Sequence, residues 1–235
     1  MPKKVAILQS NYIPWKGYFD LINSVDEFII YDEMQYTVDD WRNRNKVKTK
    51  QGVQWMSIPV SKKGRLNLKI NEVKVADSRW PKKHWTTLSN TYARSEHFKD
   101  YADFFENIYL HKANTLESLS DINYLFITEI NRILGIPTRI RQSTEFELGE
   151  GKTERLLNIC KQTKADIYLS GPAASNYLDK SIFQQEGINI EWMNYEHYPE
   201  YKQLHEPFEH GVTILDLLFN EGPNSKKYMR SFNHE

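Results

Sequence analysis

The sequence predicts an α/β fold, a mostly parallel sheet with helices on both faces and a small β-rich insertion at residues 51–76. Two observations carry that expectation. Short apolar runs are entered from charged residues and left through Gly or Pro loops, and segments of helical apolar spacing alternate with them. Within residues 5–31, strand, loop, helix and strand follow one another as they do in a βαβ unit.

Residues 5–9 read as a buried strand, and residues 10–17, punctuated by Pro14 and Gly17, as the loop that follows. Residues 18–23 read as a short helix carrying Phe19, Leu21 and Ile22, and residues 26–31 as a second strand ending at Asp32. Residues 55–60 and 66–75 carry alternating or β-branched apolar residues on either side of Lys63-Gly64, the pattern of an antiparallel pair. Residues 80–92 read as a helix opened by Pro81. Phe104, Phe105, Ile108 and Tyr109, then Leu125, Ile127, Ile130, Ile133 and Leu134, recur at helical spacing, and Gly135 with Pro137 supplies a stop. Two helices are therefore expected between residues 98 and 134. A strand at 138–142, a helix at 152–163, a strand at 166–171 and another at 188–193 continue the alternation, which favours a parallel sheet covered on both faces. No repeat or linker divides the chain, so residues 1–223 are expected to form one domain and the polar tail 224–235 to fray.

Composition narrows the classes of function. The 31 basic side chains balance the 31 acidic ones, so no global field draws the molecule to nucleic acid or to an anionic bilayer. No apolar run approaches the roughly 18–20 residues of a membrane span, and no signal-peptide core follows Lys3 and Lys4, which predicts a soluble cytoplasmic protein. Cys160 stands alone in an apolar helical run and is expected to be a buried thiol in a reducing compartment. No grouping has metal-ligand spacing, so neither metal nor redox cofactor is expected. Basic residues concentrate at 42–50 and 62–74, either as a solvated face or as an anion site. Six Trp and fourteen Tyr supply apolar rings with polar tips, suited to a ring-shaped or amphipathic ligand.

Ligands of open α/β sheets bind beyond the carboxyl ends of the strands. The loop after the first strand holds Gln9, Asn11, Tyr12, Trp15 and Lys16, dense in hydrogen-bonding and stacking groups. Asp32, close to Gln35, faces the same crevice if the first two strands are parallel neighbours; there a carboxylate binds an amine or hydroxyl, acts as a base, or simply caps a turn. In the run from Trp41 to Lys46, Arg42, Asn43, Arg44 and Asn45 suit a diphosphate or carboxylate, because guanidinium groups present paired planar donors. That run lacks a Walker pattern. Ser170 and Gly171, at another strand end, offer backbone donors; Ser170-Gly171-Pro172 lacks the Gly-x-Ser-x-Gly elbow, which excludes a hydrolase of that kind.

The run Ile7-Leu8-Gln9-Ser10-Asn11-Tyr12-Ile13-Pro14-Trp15-Lys16-Gly17-Tyr18-Phe19-Asp20-Leu21-Ile22 resembles the WbqC-like family. So do Ile30-Tyr31-Asp32, Gln35-Tyr36, Trp41-Arg42-Asn43-Arg44-Asn45, His84-Trp85, residues 168–171 and residues 195–203. The family's first turn usually reads Gln-Pro, so Ser10 is a departure, expected to alter loop stiffness. The resemblance implies a bacterial protein of surface-polysaccharide (O-antigen) biosynthesis. It also implies transfer of glycine or another acyl unit onto an amino sugar, hence onto a sugar nucleotide, with an acyl-carrier protein as one conceivable donor. The opening also looks like that of HIGH-motif nucleotidylyltransferases and pantothenate-synthetase-type ligases, which implies a Rossmann-like fold and, as an alternative, use of ATP. Where those enzymes carry histidines, this chain reads Trp15-Lys16-Gly17-Tyr18. A third reading is a noncatalytic ligand-binding or scaffold protein of polysaccharide assembly.

Aminoacyl transfer needs a base for the amine and donors for the oxyanion. His84, which matches a family motif, is the expected base because an ordinary imidazole titrates near neutrality; a packed core imidazole is the competing reading. Asp32 is expected to orient His84 or hold the amine. Asn43, Arg44 and Lys16 are expected on phosphate, and Trp15 and Tyr12 on base or sugar.

Overall fold

The structure, a computed structural model, describes residues 2–61 and 67–232. Strand β1 (Lys4–Leu8) carries apolar side chains on both faces, which an antiparallel strand with one wet face would not tolerate. It lies between β2 (Glu27–Ile30) and a later strand, and each neighbour runs parallel to it. Period-two alternation divides its residues between two cores. Ala6, with Phe28 and Ile30 of β2, packs beneath α1 (Lys16–Asn23) and the large helical layer. Val5 and Ile7, with Ile29 of β2, meet the opposite layer.

Between β2 and the next strand of the sheet come a hairpin and three helices. β3 (Arg44–Thr49) and β4 (Gly52–Ser57) pair antiparallel, and Gly52 takes the positive φ of 107° that the tight connection demands. Residues 55–60 and 66–75 were expected to pair with each other, yet the partner of 52–57 is the charged segment 44–49. The basic residues of β3 masked its alternation. Val47 is buried, while the Arg44 and Lys46 side chains reach outward along the opposite face. Of the expected pairing a bridge between Val60 and Val75 persists, and the Lys63-Gly64 turn lies outside the described residues. α2 (Trp80–Tyr92) and α3 (Phe98–Asn107) follow. α4 (Leu119–Leu134) aligns Leu119, Ile122, Phe126, Ile127, Ile130 and Leu134 on the sheet side and stops at Gly135, whose φ is 63°. Each such burial stabilises the fold by about 1.5–3 kcal/mol.

β5 (Arg139–Gln142) joins the outer side of β2. The chain then returns through α5 (Lys152–Gln162) to β6 (Ile167–Ser170), on the far side of β1, and through α6 (Lys180–Gln185) to β7 (Asn189–Trp192). The five strands are all parallel, in the order β5-β2-β1-β6-β7. Cys160 of α5 is buried, and burial raises its thiol pKa far above the ordinary value. α7 (Ile214–Glu221) is nearly enclosed, so its apolar residues form a continuous run without amphipathic signal. The tail is anchored rather than frayed as far as residue 232. Met229 is fully buried, and the Arg230 and Ser231 amides donate to the Asp20 carboxylate at 2.9 and 3.0 Å. Among the described residues, no helix is long and apolar enough to cross a membrane.

Candidate functional site at the strand-order reversal

Strand order reverses between β1 and β6, so the loops leaving their carboxyl ends diverge and open a crevice. The crevice is a cavity of about 740 Å³. Gln9 borders it from the end of β1, Glu33 and Gln35 from beyond β2, and Ser170 with Gly171 from the end of β6. Space is open where a Cβ on Gly171 would stand. The fourth wall is the first turn of α5, entered through Gly149 and Gly151 at φ 73° and 85°. That turn brings Lys152 and Arg155 to the crevice, and among the described residues neither makes an ion pair. Helix N-termini and unpaired cations both favour anions. Tyr31 lies beneath this wall, where burial raises its phenol pKa and the neighbouring Arg155 guanidinium opposes the rise. Glu33 Oε2 is buried without a hydrogen-bond partner among the described residues. Sequence reasoning assigned neither Lys152 nor Arg155; the signal available was the Gly-x-Gly-Lys-Thr turn at residues 149–153 opening a helix.

On the other side of the loop at residues 9–17 is a smaller cavity of about 260 Å³, bordered by Asn11, Pro14, Trp15, Trp41, Asn45, His210 and Gly211. The loop is stitched to the hairpin: Tyr12 N donates to Trp41 O, and Asn45 Nδ2 donates to the carbonyls of Tyr12 and Ile13 at 3.0 and 2.9 Å. These bonds hold Ile13 at φ 37°, a strained conformation for a β-branched residue. Arg42 borders neither cavity but bonds a residue of each. Its guanidinium donates to Asn11 Oδ1 through Nη1 and approaches Gln9 Oε1 at 3.5 Å through Nη2, with Asp40 3.5 Å away as counter-ion.

The remaining expected residues are committed to holding the protein together. Asp32 is buried and accepts from Ser10 N at 2.8 Å, Ser10 Oγ at 2.6 Å and Ser120 Oγ. Ser10 therefore does more than alter loop stiffness, since it bonds Asp32 twice and accepts from Asn123. His84 borders neither cavity. Its Nδ1 faces Tyr12 Oη at 2.8 Å and its Nε2 faces Ser57 O at 3.2 Å, so the neutral tautomer with Nε2–H donating satisfies both. Burial lowers its pKa to about 4. Tyr12 is enclosed, its hydroxyl shared with Tyr109 at 2.8 Å. Lys16 is buried, donating to Pro199 O at 2.9 Å among the rings of Tyr198, Tyr201 and Phe208, and burial lowers its pKa to about 8. Asn43 bonds Tyr36 Oη and Ile58 O. Arg44 pairs with Asp39 at 2.9 Å and lies 4.2 Å over the Trp55 ring. Among the described residues, Asp32, His84 and Arg44 share no hydrogen-bond partner. The structure thus gathers Gln9, Gln35, Ser170 and Gly171 at the crevice and Asn11 with Trp15 at the smaller cavity.

A doubly wound parallel sheet with a crevice at its strand-order reversal defines an α/β protein of the Rossmann-like class. Within that class the chain belongs to the WbqC-like protein family, whose pattern it matches over residues 9–228. A protein of Mycobacterium tuberculosis described as "Uncharacterized protein Rv1507c" is 50% identical over 228 residues, covering 97% of this chain and 98% of that relative. No solved structure matches the chain.

Proposed function

We propose that the protein is an acyl or aminoacyl transferase acting on a nucleotide-linked amino sugar in bacterial surface-polysaccharide biosynthesis, with the nucleotide seated in the crevice between β1 and β6. The observation that carries the reading is the crevice itself. It has the volume of a small-molecule site, roughly 300–1,000 Å³, and one wall offers two cations without ion-pair partners. Phosphate groups lie toward Lys152, Arg155 and the first turn of α5, while Gln9, Gln35, Ser170 and Gly171 border the rest of the ligand. Family membership supports the substrate class.

In the reaction the sugar amine attacks the carbonyl carbon of a thioester or activated ester. The C–N bond forms, the bond to sulfur or oxygen breaks, and the amine's proton passes to a base. His84 and Asp32 are not assigned the proton in this reading, because their polar atoms are occupied away from the cavities. His210, which borders the smaller cavity, takes that role.

The test is incubation of the protein with nucleotide-linked amino sugars and acyl or aminoacyl thioesters, free or on a carrier protein, with mass-spectrometric detection of the amide. Amide formation without ATP is the expected result. Product that requires ATP and releases pyrophosphate replaces the reading with an ATP-using ligase, and ligand binding without turnover replaces it with a noncatalytic binding protein.

A further inference from the structure

We infer that the cavity between Trp15 and Trp41 is the subsite for the pyranose ring of the amino sugar, joined across Arg42 to the nucleotide in the crevice; this rests on the proposed function. Size is the first argument. At about 260 Å³ the cavity falls below the roughly 300 Å³ at which sites for whole small molecules begin, so it suits one ring of a larger ligand. Continuity is the second. The Arg42 guanidinium donates to Asn11, which borders this cavity, and approaches Gln9, which borders the crevice, so a single side chain separates the two spaces.

The chemistry of the walls is the third argument. Trp41 is 38% exposed and Trp55 is 45% exposed, with ring centroids 5.1 Å apart. Their positions are supported from within the hairpin: Lys46 Nζ lies 5.6 Å from the Trp41 centroid and 5.2 Å from that of Trp55. Large exposed rings held in place without burial mark a contact surface. Trp15 closes the other side, packed at 5.5 Å against both Tyr195 and Tyr198. The electron-rich face of an indole attracts the polarised C–H groups on the flat face of a pyranose. Around the edge stand neutral donors and acceptors. Asn11 Nδ2 and both ring nitrogens of His210 make no hydrogen bond among the described residues, whereas the Asn45 amide is committed to the loop. Neutral polar groups at the rim and indoles on the walls suit hydroxyl and amine substituents around a ring, and the unpaired cations remain in the crevice for phosphate.

The experiment compares UDP, dTDP and GDP with the corresponding nucleotide-linked hexosamines by isothermal titration, using the full chain, Trp41→Ala and Asn11→Ala. A parallel titration follows free glucosamine by 19F NMR of protein labelled with 5-fluorotryptophan. The conjugate is expected to bind the unaltered protein about tenfold more tightly than its nucleotide, the factor that one stacked ring and one hydrogen bond supply together. Trp41→Ala is expected to remove that advantage while leaving the affinity for the nucleotide within about twofold. Trp41 lies on a solvent-exposed loop, and Asn11→Ala supplies a second, smaller truncation in the same subsite. Equal binding of conjugate and nucleotide, or equal loss of both in Trp41→Ala, overturns the subsite. If no nucleotide binds but glucosamine shifts the Trp41 resonance, the subsite stands and the crevice assignment falls. If glucosamine shifts neither the Trp15 nor the Trp41 resonance and no conjugate binds, the subsite falls.

Discussion

Acidification tests the reading of His84 most directly. The imidazole lies between Tyr12 and Ser57, with the Trp80 ring 5.2 Å away, and desolvation there lowers its pKa from 6.5 to about 4. Because the folded value is the lower one, the unfolded chain binds the extra proton first as pH falls. The contribution to stability is complete above pH 6.5 and is lost between there and about 4. A fall from 6.5 to about 4 costs about 2 kcal/mol at pH 5 and about 3 kcal/mol at pH 4, relative to pH 7.5. Urea midpoints of the unaltered protein and of His84→Gln at pH 7.5, 6 and 5 isolate this share, since carboxylates and other histidines titrate alike in both. The unaltered protein is expected to lose about 2 kcal/mol more than the variant by pH 5. Parallel profiles would refute the reasoning, as would a folded His84→Gln protein without turnover at pH 7.5, which would return the imidazole to the chemistry.

Asp32→Ala leaves the donors of Ser10 and Ser120 unmatched in a buried place, and is expected to cost about 3 kcal/mol in urea unfolding while a folded fraction keeps its ligand affinity. Asn45→Ala removes both bonds that hold the strained Ile13 carbonyl and its neighbour; a loss of about 2 kcal/mol is expected, together with weaker protection of the loop amides in hydrogen exchange. Lys16 gives up its proton in the folded state near pH 8, before the unfolded chain does near 10.5, so its share of stability rises with pH across that window. Lys16→Met is accordingly expected to raise the Tm at pH 7, where the buried charge is replaced by a thioether, and the advantage shrinks at pH 9.5; an unchanged difference between the two pH values would contradict this.

Polarity in the sequence points in two directions, and the hydrogen-bond partners decide between them. Asp32, His84, Asn43 and Gln9 all looked alike as candidate site residues, yet the first three are occupied by Ser10, Tyr12, Ser57, Tyr36 and Ile58, while Gln9 borders the crevice. Nothing local distinguishes them, because those partners lie far away in the chain. The cations of the crevice were missed for the converse reason. Apart from the Gly149-Glu150-Gly151 turn that opens their helix, Lys152 and Arg155 carry no local mark, and they gain meaning from Ser170 and Gln9 across the opening.

What the amino-acid sequence determined by itself was most of the elements and their faces, β3 excepted. Val5, Ala6 and Ile7 in succession require a strand covered on both sides, the spacing through α4 requires one apolar stripe, and Gly135 ends that helix wherever it packs. These follow from periodicity and from backbone sterics, which act over a few residues. What tertiary structure alone decided was the order β5-β2-β1-β6-β7, the pairing of β3 with β4, and hence which loop ends meet at a crevice. Strand order is settled by burial and hydrogen bonding between segments that lie far apart along the chain, as when Lys4 pairs with Ile167, so no local pattern carries it.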